Sequence, residues 1–440
     1  MNSLPLWASG VIGAVLFFLL MFLRLHVGLS LMVAGFVGFS LTRGIDAAFT
    51  PLVTTIYEVS HSKILVIIPL FIAMGVFAGE GGVIRAAFES FKSILGHYRG
   101  GLAMATVGSC AAFGAVCGDN IATAAVMNKA ALPEMRRYGY HDRLSLGAIC
   151  SGGNLGILIP PSAAFVVYGF ITEQPIADLF IAGIVPGILL TLMFMGQIFL
   201  QVRINPKLSS KYEPDSWKTR LFSLRGLIGI VVVFGLVMGG LMGGLFTPTE
   251  AGAAGSIAVL VVSLFYRQLT WKALGRSLFD TVKTAAMIFL LIMGARYFSY
   301  FLTSTEVASG LSSALIEAEL NRYLVMIMVC IIYLILGMLM DIWSVMIITL
   351  PIFFNLLTVD LGFDPLQLGV ITVLCIMIGC ITPPVGVVVF TVGGMHRDIP
   401  IYTIFRGVWP FVLTMVLLLL LLIFIPQLST ALPDLTGTAY

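Results

Sequence analysis

The chain has 440 residues, of which 59% are hydrophobic and 10% charged, with a net charge of +3. A soluble domain carries about 25% charged residues, so a water-soluble globular protein is excluded and no nucleic-acid partner is expected. The fold class is an all-α polytopic membrane protein embedded in a lipid bilayer.

A transmembrane helix needs about 20 apolar residues. The first such run, Leu6 to Leu23, has no basic lead and many spans follow it, so it is a retained span rather than a signal peptide. Further spans are predicted near 26–42, 63–79, 144–172 and 176–201. Glu80 and Arg85 are placed at a membrane interface. A polar loop from Val202 to Arg225 then carries Arg203, Lys207, Lys211, Lys218, Arg220 and Arg225 against Glu213 and Asp215. A second set of spans falls near 226–244, 250–266, 283–300, 366–395 and 404–426. Thr247-Pro-Thr-Glu250 reads as a capped helix start. Arg267, Lys272 and Arg276 mark 267–280 as an amphipathic helix on the membrane surface. Two apolar stretches, 101–132 and 323–357, are each too long for one ordinary span and too short for two.

The halves match at a constant offset. Adding 223 takes Arg99 to Arg322, Gly114 to Gly337, Gly139-Tyr140 to Gly362-Phe363, Gly156 to Gly379 and Pro160-Pro161 to Pro383-Pro384. Chance is a poor account of a gapless register over more than sixty residues, and internal duplication is a common origin of transporter folds.

Loop charge sets orientation. Lys92, Arg99, Arg136, Arg137 and Arg143 flank 101–132, whereas 323–357 is flanked by Glu317, Glu319, Asp360, Asp364 and a single Arg322. A stretch with both ends on one side is a re-entrant hairpin, cytoplasmic in the first case and external in the second. Five spans remain per half, an odd number, so the repeats are inverted: 1–201 and 226–440, joined by a basic cytoplasmic linker at 202–225. Both termini are predicted on the periplasmic side. Arg43 falls on the wrong side in this scheme.

The chemistry is expected at four places. Gly152-Gly-Asn154-Leu-Gly156-Ile-Leu-Ile159-Pro160-Pro161-Ser162 lies in the middle of one span, and Gly379-Cys-Ile-Thr382-Pro383-Pro384-Val-Gly386 repeats the design. Two consecutive prolines break a helix. Inside a bilayer, freed backbone is tolerated where it is buried in protein or lines a cavity, and its carbonyls and half-helix ends can bind ions or anions. The midpoints of the hairpins read Cys117-Gly118-Asp119-Asn120 and Gly337-Met-Leu-Met-Asp341-Ile-Trp-Ser344. A carboxylate at mid-membrane depth points to function; the bland alternative is a helix cap closing the tip.

The six cysteines lie in apolar segments without CxxC pairs or a histidine cluster, which argues against disulfides and zinc. The five histidines fall at span ends or loops. No phosphate-binding loop, HExxH or GxSxG is present, so neither an enzyme nor a bound cofactor is expected.

Ala122-Thr-Ala-Ala, Leu132-Pro-Glu-Met135, Arg137-Tyr-Gly-Tyr140, Leu155-Gly-Ile-Leu-Ile-Pro-Pro-Ser162, Thr247-Pro-Thr-Glu-Ala and Ile378-Gly-Cys-Ile-Thr-Pro-Pro-Val-Gly386 occur in this order. Together they resemble the large membrane subunit of tripartite ATP-independent periplasmic (TRAP) transporters, from about Ile68 onward. The resemblance implies a sodium-coupled importer of small organic acids in the bacterial inner membrane, working as an elevator. It implies two partners, a small four-helix membrane subunit and a periplasmic substrate-binding protein. No four-span segment precedes the first span, so the small subunit is expected on a separate chain. The implied sodium sites are Cys117, Gly118, Asp119 and Asn120 with Gly156, Ile159 and Pro161, and Gly337, Asp341 and Ser344 with Gly379, Thr382 and Pro384. Asn120, Asn154, Ser162 and Thr382 are the candidate substrate contacts. The family's first tip usually has a Ser-Gly-Ser type of sequence, so Cys-Gly-Asp-Asn is a departure. A stand-alone divalent-anion symporter with sodium, or a non-transporting subunit of a respiratory complex, are the competing readings.

Overall fold

The computed structural model describes residues 6–23, 25–210, 216–266, 269–305, 320–396 and 398–436. Lys211, Glu213, Asp215, Arg267, Glu317 and Glu319, whose charges entered the topology above, lie outside those residues. All regular structure among the described residues is helical.

The first helices are α1 (Leu6–Phe22), α2 (Val27–Arg43), α3 (Ile45–His61), α4 (Ile67–Glu80) and α5 (Val83–Leu95). Next come α6 (Gly101–Cys117), α7 (Asn120–Arg137), α8 (Asp142–Leu158), α9 (Ala163–Thr172) and α10 (Ile176–Ile204). Then follow α11 (Trp217–Ser223), α12 (Arg225–Met242), α13 (Pro248–Phe265) and α14 (Trp271–Ser304). The last are α15 (Arg322–Leu339), α16 (Ile342–Asn355), α17 (Pro365–Ile381), α18 (Val387–Gly394), α19 (Ile401–Phe424) and α20 (Gln427–Thr436). Among the described residues seven helices are long and apolar enough to cross a membrane, or up to nine if each bent pair counts as one span.

The helices sort into two packed groups. In one, α14 lies along α2, α3 and α4, with α13 against α4 and α12 against α13 and α5. Glycine sets the α2–α14 distance: a Cβ on Gly28 would lie 2.7 Å from the Leu290 carbonyl oxygen. Tyr297 of α14 donates to the Ala48 carbonyl of α3 at 2.8 Å. In the other group, α6 and α7 pack on α8, α15 and α16 on α17, and α10 and α19 run alongside both. The groups meet where α5 packs on α6 and α7, where α4 and α12 touch α6, where α4 touches α9 and where α14 touches α16.

The predicted elements are present with shifted ends. The first long apolar stretch is the pair α6–α7, interrupted at Gly118-Asp119, and the second is α15–α16, interrupted at Met340-Asp341. The span 144–172 is α8 and α9, bent by 42° at the Pro-Pro pair. The Thr247–Glu250 start is a reciprocal capping box, with the Thr247 N–H donating to Glu250 Oε2 at 2.8 Å. Three features differ from expectation. Helix α3 was not predicted, because Asp46, Thr50, Pro51, Thr54, Thr55 and Glu58 dilute its hydropathy. Helix α5 is amphipathic, burying Val83, Ile84, Ala87 and Phe88 while Arg85 stays exposed. Residues 271–280 are no separate surface helix: Lys272 and Arg276 sit on the first turns of α14, which runs unbroken for 34 residues. It contains no proline and two widely separated glycines, Gly275 and Gly294. At 1.5 Å per residue it is about 51 Å long, more than a hydrocarbon core of about 30 Å needs.

Candidate functional site

At the first tip, Gly118 takes a left-handed conformation (φ 65°) that ends α6, and Asp119 is extended and caps α7. Asp119 Oδ1 accepts from the Ala122 N–H at 2.7 Å, and the Asp119 carbonyl accepts from Thr123 Oγ1 at 2.5 Å. At the second tip, Asp341 caps α16: Oδ2 accepts from the Ser344 N–H at 3.2 Å and Oδ1 from Ser344 Oγ at 2.6 Å. Both aspartates therefore serve as helix caps. A cap uses part of a carboxylate's accepting capacity, so the same side chain can still face a cation.

Each tip is seated on a broken helix by glycine. A Cβ on Gly156 would lie 2.6 Å from the Asp119 carbonyl oxygen, and one on Gly118 would lie 2.8 Å from the Pro161 carbonyl oxygen. In the other half, a Cβ on Gly379 would lie 2.6 Å from Gly337 C and 2.7 Å from Gly337 Cα. Gly114 meets Gly156 in the same way, at 2.7 Å from its Cα. Gly114 approaches Gly156 and Gly337 approaches Gly379, and Gly139 and Gly362 share a φ of 69°.

The two halves also touch at the centre. Asn120 Nδ2 donates to Asn154 Oδ1 at 3.1 Å, and Asn154 Nδ2 donates to the Met377 carbonyl at 2.7 Å. Met377 is the residue 223 positions after Asn154, so equivalent points of α8 and α17 meet there. Cys380 lies beside the Asn120 amide and within electrostatic range of both Asp119 and Asp341.

Of the residues expected to ligate sodium, the structure gathers Cys117, Gly118, Asp119 and Asn120 against Gly156 and Pro161. Ile159 ends α8 with its side chain turned to Gly187 of α10, which leaves only its backbone for the site. Gly337, Asp341 and Ser344 gather at the second tip, with Gly379 against Gly337. The second break is tied to α15 by the Gly386 N–H donating to the Met338 carbonyl at 3.4 Å. The breaks differ in exposure: Pro160, Pro161 and Ser162 are buried, whereas Pro384 and Val385 are exposed. Among the candidate substrate contacts, Asn120 and Asn154 bond to each other, Ser162 donates to the Ile157 carbonyl at 2.5 Å, and Thr382 donates to the Ile378 carbonyl at 2.6 Å. Cys380 and the Met377 carbonyl were not among the expected residues; finding them required knowledge of how α8 crosses α17. Among the described residues no group of three or more His, Cys, Asp or Glu could hold a metal ion, so a cation here would rely on backbone carbonyls around one carboxylate per tip.

A surface tie links the two halves at the far end of α7. Arg136 donates to Asp142 Oδ1 at 2.8 Å and Oδ2 at 3.0 Å, and to Asp398 Oδ2 at 2.8 Å. The Arg136 hydrogen bond holds the exposed Asp398 carboxyl below the usual carboxylate range. A lowered folded value means that the tie is complete above the ordinary carboxylate pKa of about 3.9 and is lost only as pH falls through the lowered value. Arg136→Ala is expected to speed amide hydrogen exchange at Asp398 several-fold at pH 7.

A family model described as tripartite ATP-independent periplasmic transporter, DctM component, matches residues 14–428. The chain is 34% identical over 388 residues to a C4-dicarboxylate TRAP transporter large permease protein of Pseudomonas aeruginosa, covering 87% of this chain and 89% of that one. It is 30% identical over 439 residues to the sialic acid TRAP transporter permease protein of Haemophilus influenzae, covering 99% of this chain and 70% of that protein. It is 30% identical over 428 residues to an ectoine/5-hydroxyectoine TRAP transporter large permease protein of Ruegeria pomeroyi, covering 95% and 98%. Its fold is similar to that of the YdaH transporter of Alcanivorax borkumensis, with a TM-score of 0.57 at 14% identity over 90% of this chain and 89% of the other. The chain is a multi-pass membrane protein that belongs to the DctM, large-permease, component of the tripartite ATP-independent periplasmic transporters.

Proposed function

We propose that the chain is the permease through which a small organic anion enters the cell in symport with sodium, after delivery by a periplasmic binding protein. The observation that carries this reading is the paired geometry: two aspartate-capped tips, each seated glycine-on-glycine against a helix broken at Pro-Pro, at an offset of 223. Two inverted repeats build this pair, with both termini external. Each tip would hold sodium between its carboxylate and the carbonyls freed by the facing break, because hard cations take oxygen ligands. The group α6–α10 with α15–α20 would move as an elevator against α1–α4 and α12–α14. A small four-helix subunit would complete the scaffold in the inner membrane. The names of the relatives support an organic acid or a related small polar solute as cargo.

Reconstitution into proteoliposomes with the small subunit, with and without a binding protein, tests the tripartite reading. Uptake that requires the binding protein is expected. Equal uptake by the membrane part alone would instead make it a stand-alone anion symporter.

A further inference from the structure

A cavity of about 470 Å3 lies between α14 on one side and α9 and α16 on the other. It borders neither tip and neither break. Ligand pockets run from about 300 to 1,000 Å3, so a small organic acid fits. The cavity sits on the seam between the two packed groups of helices, and among the described residues one cation lines it, Arg296.

Arg296 is placed there by the rest of α14. The adjacent Tyr297 is pinned to Ala48, and Phe298 packs against Phe17 of α1 with ring centroids 6.1 Å apart. With that face committed, the stripe of Arg296, Ser299 and Thr303 turns to the cavity. The guanidinium lies 5.6 Å from the ring centroid of Phe170, on the opposite wall. Among the described residues its closest carboxylate is Glu58 Oε2 of α3 at 3.9 Å, beyond hydrogen-bond reach. Among the described residues its side chain makes no hydrogen bond. A charged residue within a membrane helix is costly and is commonly paired; this one has a loose ion pair with Glu58 and the face of Phe170, and spends none of its N–H donors on a hydrogen bond to a described residue.

We propose that this cavity is a receiving site for the carboxylate of a small organic anion, gripped by Arg296. An arginine offers a fork that matches a carboxylate with two parallel N–H···O bonds. Among the described residues, the acids that an incoming anion must outcompete are Glu58, which holds the guanidinium without a hydrogen bond, and Glu173, exposed at the rim. Asn355 and Thr303 line the same space and suit hydroxyl or carbonyl groups of the cargo. Since α14 belongs to one packed group and α9 and α16 to the other, a molecule held here touches both. The proposal rests on the anion-permease reading and adds a landing place distinct from the tips.

Charge-selective labelling tests it without knowledge of the natural cargo. Ser299→Cys places a thiol one turn from Arg296, and the six native cysteines are all buried, so the unaltered chain sets the background. Intact cells would be treated from outside with a negatively charged or a positively charged methanethiosulfonate. The ratio of the anionic to the cationic labelling rate is expected to fall at least about tenfold when Arg296→Gln is added, and to be kept by Arg296→Lys. In reconstituted uptake, Arg296→Gln should raise the KM for loaded binding protein about tenfold with a smaller change in kcat, which is the signature of lost ground-state binding. A labelling ratio indifferent to Arg296, an introduced thiol that does not react from outside, or an unchanged KM would each overturn the site. Failure of the wild-type chain to transport any anion would overturn the permease reading instead, and the labelling ratio would be unaffected by that failure.

Discussion

Asp119→Asn is expected to leave the first hairpin folded and to raise the sodium concentration for half-maximal uptake at least about tenfold, a loss of about 1.4 kcal/mol. Asparagine caps a helix as well as aspartate does, so the Ala122 N–H keeps its acceptor while the charge disappears. Hard cations bind charged oxygen more tightly than neutral oxygen. Asp119→Ala removes the cap as well and should lower stability by a further ~1 kcal/mol, read as a drop in thermal midpoint. The same pair of substitutions at Asp341 should behave alike, with Ser344 losing both its backbone and its hydroxyl partner only in Asp341→Ala. Sodium activation curves of both asparagine variants that superimpose on wild type, at equal expression, would reduce the carboxylates to caps and leave ligation to backbone carbonyls.

The second large effect is steric. Gly379→Ala would put a Cβ 2.6 Å from Gly337 C, 2.7 Å from Gly337 Cα and 2.9 Å from the Leu334 carbonyl oxygen. All three are backbone atoms, so no side chain can rotate away and the hairpin must lift from α17. Overpacking of this kind costs about 1–3 kcal/mol. It should also abolish most sodium-dependent uptake, because the tip no longer faces its break. Gly114→Ala, against Gly156, should mirror it in the first half. Gly275→Ala on α14 is the control: nothing lies within 4 Å of its Cβ position, and alanine in a helix is favoured over glycine by up to about 1 kcal/mol. A Gly379→Ala protein with wild-type thermal midpoint and uptake would show that the contact does not constrain the hairpin.

These sites were legible in the sequence where local chemistry dictates structure. Proline cannot continue a helix, so Pro160-Pro161 and Pro383-Pro384 announced their breaks, and Thr247-Pro-Thr-Glu250 announced its cap. The seating of each tip was half legible: Gly156 and Gly379 were expected opposite the tips, but the direct Gly114–Gly156 and Gly337–Gly379 contacts emerge only from packing. The chain from Asn120 through Asn154 to Met377 depends on where α8 crosses α17, which no local pattern records. Cys380 stayed hidden for the same reason. Helix α3 escaped because its polar residues sit among apolar ones at a helical rather than a continuous spacing. The bases of Lys272 and Arg276 suggested a surface helix, yet charge alone does not end one, and α14 simply continues through them. Arg296 was passed over as a residue within a span; its position beside a cavity is a tertiary fact.

The central claim, that the two tips hold sodium which drives an organic anion inward, is met most directly by a gradient measurement. Proteoliposomes containing the complex, with loaded binding protein outside, would receive sodium outside, inside, or equally on both sides, at fixed membrane potential. Net accumulation is expected only with sodium higher outside, and its loss when the gradient is reversed. Accumulation indifferent to the sodium gradient would contradict it.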